Sequence, residues 1–246
     1  MNKYLLVALA MTIFSCGGNK KTEEDTKEKE VVSDCWIGAE QADCNLAKSY
    51  EEAKRLAVEF KTEQVYTDFG LEKAYQYNDS ILNLIKPLEQ DLVKIKELIG
   101  EDDYNLYFSS IEEQKEKNAL DKKKIDVISN LVLTPTLEKF DAKYGTRYIA
   151  YTIENNSDSK IELIAFVSTF FDKDGNQIFI EEQGGLGASG FVPNTGGDFF
   201  PENYKGSGRS PIIATDYKTE TISTIDETIL KKMASVKQKI VNVDLK

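Results

Sequence analysis

Arg147-Tyr148-Ile149-Ala150-Tyr151-Thr152-Ile153-Glu154 changes character at every second residue. Ile149, Tyr151 and Ile153 share one face of an extended chain and Tyr148, Ala150 and Thr152 the other, which predicts a β-strand. Residues 155–160 are a dense cluster of turn-forming types. Residues 161–171 are largely apolar on both faces, as a central buried strand requires. Asp172-Lys173-Asp174-Gly175-Asn176 predicts a hairpin turn, with residues 177–181 leading away as the next strand. Further strands are expected over residues 215–222 and 238–245, separated by a short helical period at 227–234. Leu131-Val132-Leu133-Thr134-Pro135 opens this strand-rich half.

Upstream the period changes from two to between three and four. Ser49 with Glu52 fits a capping box, and Leu46, Tyr50, Ala53, Leu56, Ala57 and Phe60 recur at three- and four-residue steps. A second pattern runs from Leu71 through Ile81, Ile85, Leu92 and Ile95 to Gly100, interrupted by Pro87. It is read either as one kinked helix or as two, with Pro87 in the first turn of the second. A third pattern covers residues 101–129. The stretch between Ile111 and Ile125, mostly charged through Glu112-Glu113-Gln114-Lys115-Glu116-Lys117, is expected to be a solvated end projecting from the bundle. No heptad is sustained, so a compact antiparallel bundle is favoured over a long coiled coil. The expected fold class is α+β, with an N-terminal helical bundle over residues 33–130 followed by a C-terminal antiparallel β-sandwich over residues 131–246.

Tyr151-Thr152-Ile153-Glu154-Asn155-Asn156-Ser157, a second apolar strand, and Phe170-Phe171-Asp172-Lys173-Asp174-Gly175 resemble the immunoglobulin-like β-sandwich modules of the FxLYD type. In this chain Ser168, Phe170 and Phe171 stand where that motif has Phe, Leu and Tyr. The resemblance covers residues 147–180. It implies a sandwich fold and adhesion, spacing or interaction roles, with no catalytic residue.

The N-terminus supplies an address. Lys3 precedes an apolar run over residues 4–14, too short to span a bilayer as a helix, and Ser15 places a small residue before Cys16. Ile13-Phe14-Ser15-Cys16 resembles a bacterial lipobox, which implies a signal peptide over residues 1–15 and lipid on the Cys16 sulfur. Residues 16–32 carry too little apolar surface to offset ordering entropy and are expected to be a disordered tether. Gly17 resembles an outer-membrane sorting signal, and Glu23-Glu24-Asp25 loosely resembles acidic surface-export tags, although a solvated linker explains the acids more simply. The expected localisation is the cell envelope, lipid-anchored in the outer membrane.

Composition removes several function classes. The net charge of −11 becomes −12 once Lys3 leaves with the signal, and a chain this acidic is a poor partner for nucleic acid. There is no histidine, so Ser-His-Asp and Cys-His nucleophile systems and His-ligated metal or haem sites cannot be built. With Cys16 lipidated, Cys35 and Cys44 are an even pair, read as one disulfide closing a small loop around Trp36. The alternative, a two-thiolate metal site, needs two further ligands and has no His to recruit.

Three motifs are read as structural. Gly185-Leu186-Gly187-Ala188-Ser189-Gly190 fits GxGxxG, but Phe191-Val192-Pro193 follows where a nucleotide site needs a helix. Asp172, Asp174 and Asn176 resemble half a calcium loop, but glycine falls at position 4 instead of 6 and Gln183 at position 12. The paired acids Glu181-Glu182 and Glu101-Asp102-Asp103 are expected by chance where 30% of residues are charged. No cofactor is expected.

Residues 183–211 carry neither period, yet hold eight of the fifteen glycines together with Phe191, Phe199, Phe200 and Tyr204. Either the rings fold back over an open edge of the sandwich, or Phe199, Phe200 and Tyr204 anchor a partner. The reading is a non-enzymatic binding or scaffolding protein, held to the membrane through its N-terminal lipid, whose partner is an envelope protein or a glycan. Its rival is a surface hydrolase acting on glycans with carboxylates from the loops of residues 184–210. Replacing Cys16 by Ser should leave the precursor uncleaved at this site and out of the detergent phase, and unchanged processing and membrane association would contradict the lipid assignment.

Overall fold

The computed structural model describes residues 34–60, 66, 70–187, 199–212, 214–216, 221–223 and 225–246. The expected signal segment, Cys16 and the expected tether lie outside them. The described chain is a mixture of helices and antiparallel sheets.

A short hairpin comes first, β1 (Cys35–Ile37) paired antiparallel with β2 (Glu40–Ala42). Helix α1 (Cys44–Ala57) follows directly. Its N-cap is Asp43, whose carboxylate accepts from the Asn45 and Leu46 N–H groups at 2.9 and 2.8 Å. The expected capping box is therefore corrected. Asp43 satisfies the free amides earlier in the chain, and Ser49 sits inside the helix, donating to Asp91 Oδ2 at 2.6 Å.

Pro87 divides the second pattern. Helix α2 (Leu71–Ile85) gives way to a 3₁₀ turn over Lys86–Leu88 and then to α3 (Glu89–Ile99). Gly100 ends α3 and starts α4 (Glu101–Ser129) at a single residue. Its φ of +84° lies in the left-handed region, where a side chain is costly.

The expectation of a solvated projecting end between Ile111 and Ile125 is overturned. Gln114, Asn118 and Asp121 are buried, at the same three- and four-residue steps as Tyr104, Phe108 and Ile111 before them. Asn118 donates to Asp79 Oδ1 of α2 at 3.2 Å. The helix thus stays packed through its charged stretch, with buried polar side chains continuing the apolar stripe.

Beyond α4 the chain enters β3 (Leu131–Leu137), β4 (Tyr148–Asn155), β5 (Ile161–Phe171) and β6 (Gln177–Gly187). After these come β7 (Tyr204–Pro211), the short strands β8 (Ala214–Asp216) and β9 (Thr221–Ser223), α5 (Glu227–Lys232) and β10 (Ser235–Leu245). One antiparallel sheet has the order β3-β4-β7 and another β10-β5-β6. Ile149, Tyr151 and Ile153 of the first and Ile164, Phe166 and Phe170 of the second meet in one core with Val127, Leu131 and Val243. Pro135, which cannot donate to a ladder, stands on the edge strand β3.

Three strand expectations change. β5 is central in its sheet but buries one face, through Ile164, Phe166, Ser168 and Phe170, and leaves the other half-covered. Residues 215–222 fold back on themselves, with Thr215 opposite Ile222, so the alternation there belongs to two short strands. The stretch 183–211 contains the end of β6 and all of β7. Glycines weaken strands, but here neighbouring rings cover two of them. Phe166 lies over its cross-strand partner Gly184, where a Cβ would collide with the ring, and the Tyr204 ring lies over Gly206.

The turn after β4 is a polar knot inside the structure. Asn155, fully buried, donates to the Ser159 and Pro201 carbonyls, both at 2.8 Å, and accepts from the Ser157 N–H and hydroxyl. Just before Pro201, Phe200 pairs with Ile161 through two backbone hydrogen bonds. Asn155→Ala should cost about 3 kcal/mol in denaturant unfolding, because buried or part-buried groups on Ser157, Ser159 and Pro201 each lose a hydrogen bond. A loss below about 0.5 kcal/mol, the ordinary scatter of surface substitutions, would contradict the knot's role.

Candidate functional site

Cys35 and Cys44 form the disulfide, with sulfurs 2.04 Å apart. It ties the hairpin to the first turn of α1 while Ile37 and Ala42 enter the helical core. Among the described residues no group of three or more His, Cys, Asp or Glu side chains is placed to hold a metal ion. The Asp172 carboxylate is engaged by the Asp174 and Asn176 amides at 2.9 Å and by the Asn176 side chain, and these bonds, Asn176 foremost, hold its pKa down. Gly185 and Gly187 lie in β6, and residues 188–190 of the GxGxxG letters fall outside the described chain.

The aromatic trio does not form one exposed patch. Phe200 is 0% exposed and belongs to the sheet core, with its ring 5.7 Å from that of Tyr204. Phe199 is half-buried, with the Lys160 and Lys246 ammonium groups 5.1 and 4.9 Å from its ring. Phe191 lies outside the described residues. Phe200 and Tyr204 thus lie over the sheet core.

One feature of the sheets carries ionisable chemistry. Gln238, Ser168 and Glu181 stand opposite one another on β10, β5 and β6. Ser168 Oγ donates to Glu181 Oε2 at 3.1 Å, and Gln238 Nε2 reaches Ser168 Oγ at 3.0 Å and the Tyr151 hydroxyl at 3.1 Å. The row thus joins the two sheets through their interior. Desolvation pushes the Tyr151 hydroxyl up to about 12 and raises the Glu181 carboxyl, against which the Ser168 bond acts only in part. Glu181, one of the paired acids of the sequence, is therefore committed to a structural row.

An open surface groove lies elsewhere, between α3 and α4. Leu92, Val93, Lys96 and Glu97 recur at one- and three-residue steps, so they share one face of α3, and Gly100 folds that face toward α4. The result is an open groove of about 620 Å³. Leu92 and Tyr104 form its floor, both nearly buried, and Val93, 61% exposed, forms an apolar lip.

Ion pairs hold the groove at both ends. Lys96 Nζ lies 2.8 Å from Glu101 Oε1 and 5.5 Å from the Tyr104 ring centre. At the other end Lys115 bridges Glu89 and Glu112 at 3.0 and 3.2 Å. The Lys96 hydrogen bond lowers the Glu101 carboxyl, and burial raises the Tyr104 hydroxyl. Burial pulls Lys115 down, but its two glutamates outweigh that and leave it above the usual lysine range. Such exposed pairs contribute little stability each. Their effect here is positional: both lysines are turned onto glutamates of the groove itself.

The groove escaped the sequence reading for a physical reason. Spacing identifies the face of α3, but not whether another element covers it. No family model, curated protein or solved structure matches the chain.

The Glu181 row yields a pH prediction. A carboxyl whose folded pKa is raised stabilises the fold most when protonated and withdraws that stability as pH rises through its folded value. Glu181→Gln should therefore raise the melting temperature by a few degrees at neutral pH. The gain should shrink as pH falls toward the ordinary glutamate range, and a gain independent of pH would contradict the assignment.

Proposed function

We propose that this chain is a lipid-anchored cell-envelope protein that acts by non-enzymatic binding or scaffolding, and that the α3–α4 groove is its binding surface. In this reading a helical bundle over residues 33–130 carries the groove, and an antiparallel β-sandwich over residues 131–246, akin to interaction modules, forms the rest of the folded body. The lipobox-like Cys16 is the anchor, the following residues are the tether, and the disulfide suits an exported chain. The partner class is an envelope protein.

The groove itself carries the reading. It is apolar along its floor and lip, is fixed by ion pairs at both ends, and stands on two helices joined by a single residue. Sites on rigid helices hold their geometry better than sites on loops. Val93→Arg places a charge on the lip at an exposed position that the fold does not need. Cross-linked capture from the native envelope should lose its partner in that variant, while Val132→Arg on the exposed part of β3 keeps it. Equal capture by both variants and the parent chain would overturn the groove as binding surface.

A further inference from the structure

Resting on the binding role of the groove, we propose that its occupant is a basic amphipathic helix of a protein partner, seated along the α3–α4 hairpin with its apolar side on Leu92, Val93 and Tyr104. Three features of the groove define that occupant.

The first is shape. An open trough between two helices does not enclose a small molecule, and small ligands are usually bound in concave sites that bury most of their surface. A trough of this kind matches the helix-in-groove mode, in which apolar residues at i, i+3, i+4 and i+7 lie along a hydrophobic channel. α3 has eleven residues and is about 16 Å long, the length of three turns of a guest helix.

The second is charge. The groove is lined by the acids Glu89, Glu97, Glu101 and Glu112 against two lysines. Lys96 is engaged by Glu101, and Lys115 by Glu89 and Glu112. Glu97 has no ion pair among the described residues. A basic guest therefore meets an uncommitted carboxylate and a net negative wall. An acidic guest would have to take a lysine from its partner while facing the remaining glutamates, and like charges at an interface select against it.

The third is the apolar lip. Val93 projects at 61% exposure next to a floor that is otherwise covered. A guest that supplied charge alone, such as a flexible polyamine, would leave this lip in water. An amphipathic helix covers it and reaches Glu97 one turn further along.

The test uses the purified full chain and four probes in about 0.15 M salt. The first is a synthetic fourteen-residue helix of about four turns with Leu at the four anchor positions and Lys elsewhere. The second is a twin with Glu in place of Lys, the third a Lys peptide with the leucines scrambled, and the fourth spermidine. The first should bind saturably and protect residues 89–115 from hydrogen exchange, with the other three at least tenfold weaker. Glu97→Lys and Val93→Arg should each weaken the first probe about tenfold or more, whereas Glu51→Lys on exposed α1 should leave it within twofold.

Equal binding of the scrambled peptide or spermidine, an equal loss in Glu51→Lys, or protection elsewhere would overturn the proposal. If the native partner depends on Val93 but the Lys peptide does not bind, the basic helix is wrong and the binding groove stands. If the native partner is indifferent to Val93, the groove reading falls as well.

Discussion

The buried stripe of α4 runs from Tyr104, Phe108 and Ile111 through Gln114, Asn118 and Asp121 to Val127, and both cores are built on it. Its first third packs with α1, α2 and α3, and its last turn packs with both sheets. Twenty-nine residues make a rod of about 44 Å, long enough to serve two cores without a break. The polar middle is costly to bury, and Asp121 shows the cost: desolvation raises its carboxyl although Lys117 and Lys124 pull it down. What such a segment adds is register. An apolar stripe tolerates sliding by a turn, whereas Asn118 must meet Asp79 of α2, and Lys124 meets Asn242 and Asp244 of β10.

That constraint also bears on the groove. The part of the groove lined by Tyr104, Glu112 and Lys115 belongs to the same helix whose far end is held in the sheet core. At the other end of the helical core, the Cys35–Cys44 bond fixes the hairpin and start of α1, and α1 is joined to α3 through Ser49 and Asp91. The groove is thus shaped by elements tied down on either side, which lowers the ordering cost of binding.

Much of the fold was legible in the sequence wherever a residue's chemistry and its burial agree. Alternation in residues 148–153 separated the two faces of β4, and the bounds of α4 followed from its spacing and Gly100. Legibility failed where they disagree. Gln114, Asn118 and Asp121 read as solvent-facing because they are polar, and only their three- and four-residue steps marked them as inward. Gly184 of β6 and Gly206 of β7 read as loop because the covering rings of Phe166 and Tyr204 enter only through packing. Asn155 looked like one more turn residue, since nothing local reveals that Pro201 comes back to meet it. The groove was the least legible part, because an uncovered helix face and a covered one have the same spacing.

Native-state hydrogen exchange against denaturant, on the parent chain and on Ala119→Pro, tests the shared helix most directly. Ala119 is exposed in the middle of α4, so proline there acts by breaking the helix, at a cost of about 3 kcal/mol or more. If α4 carries both cores, amides around Phe108 and around Phe166 should open with one common free energy in the parent chain, and both should lose protection together in the variant. Separate opening energies in the parent chain, or a loss confined to one core, would contradict it.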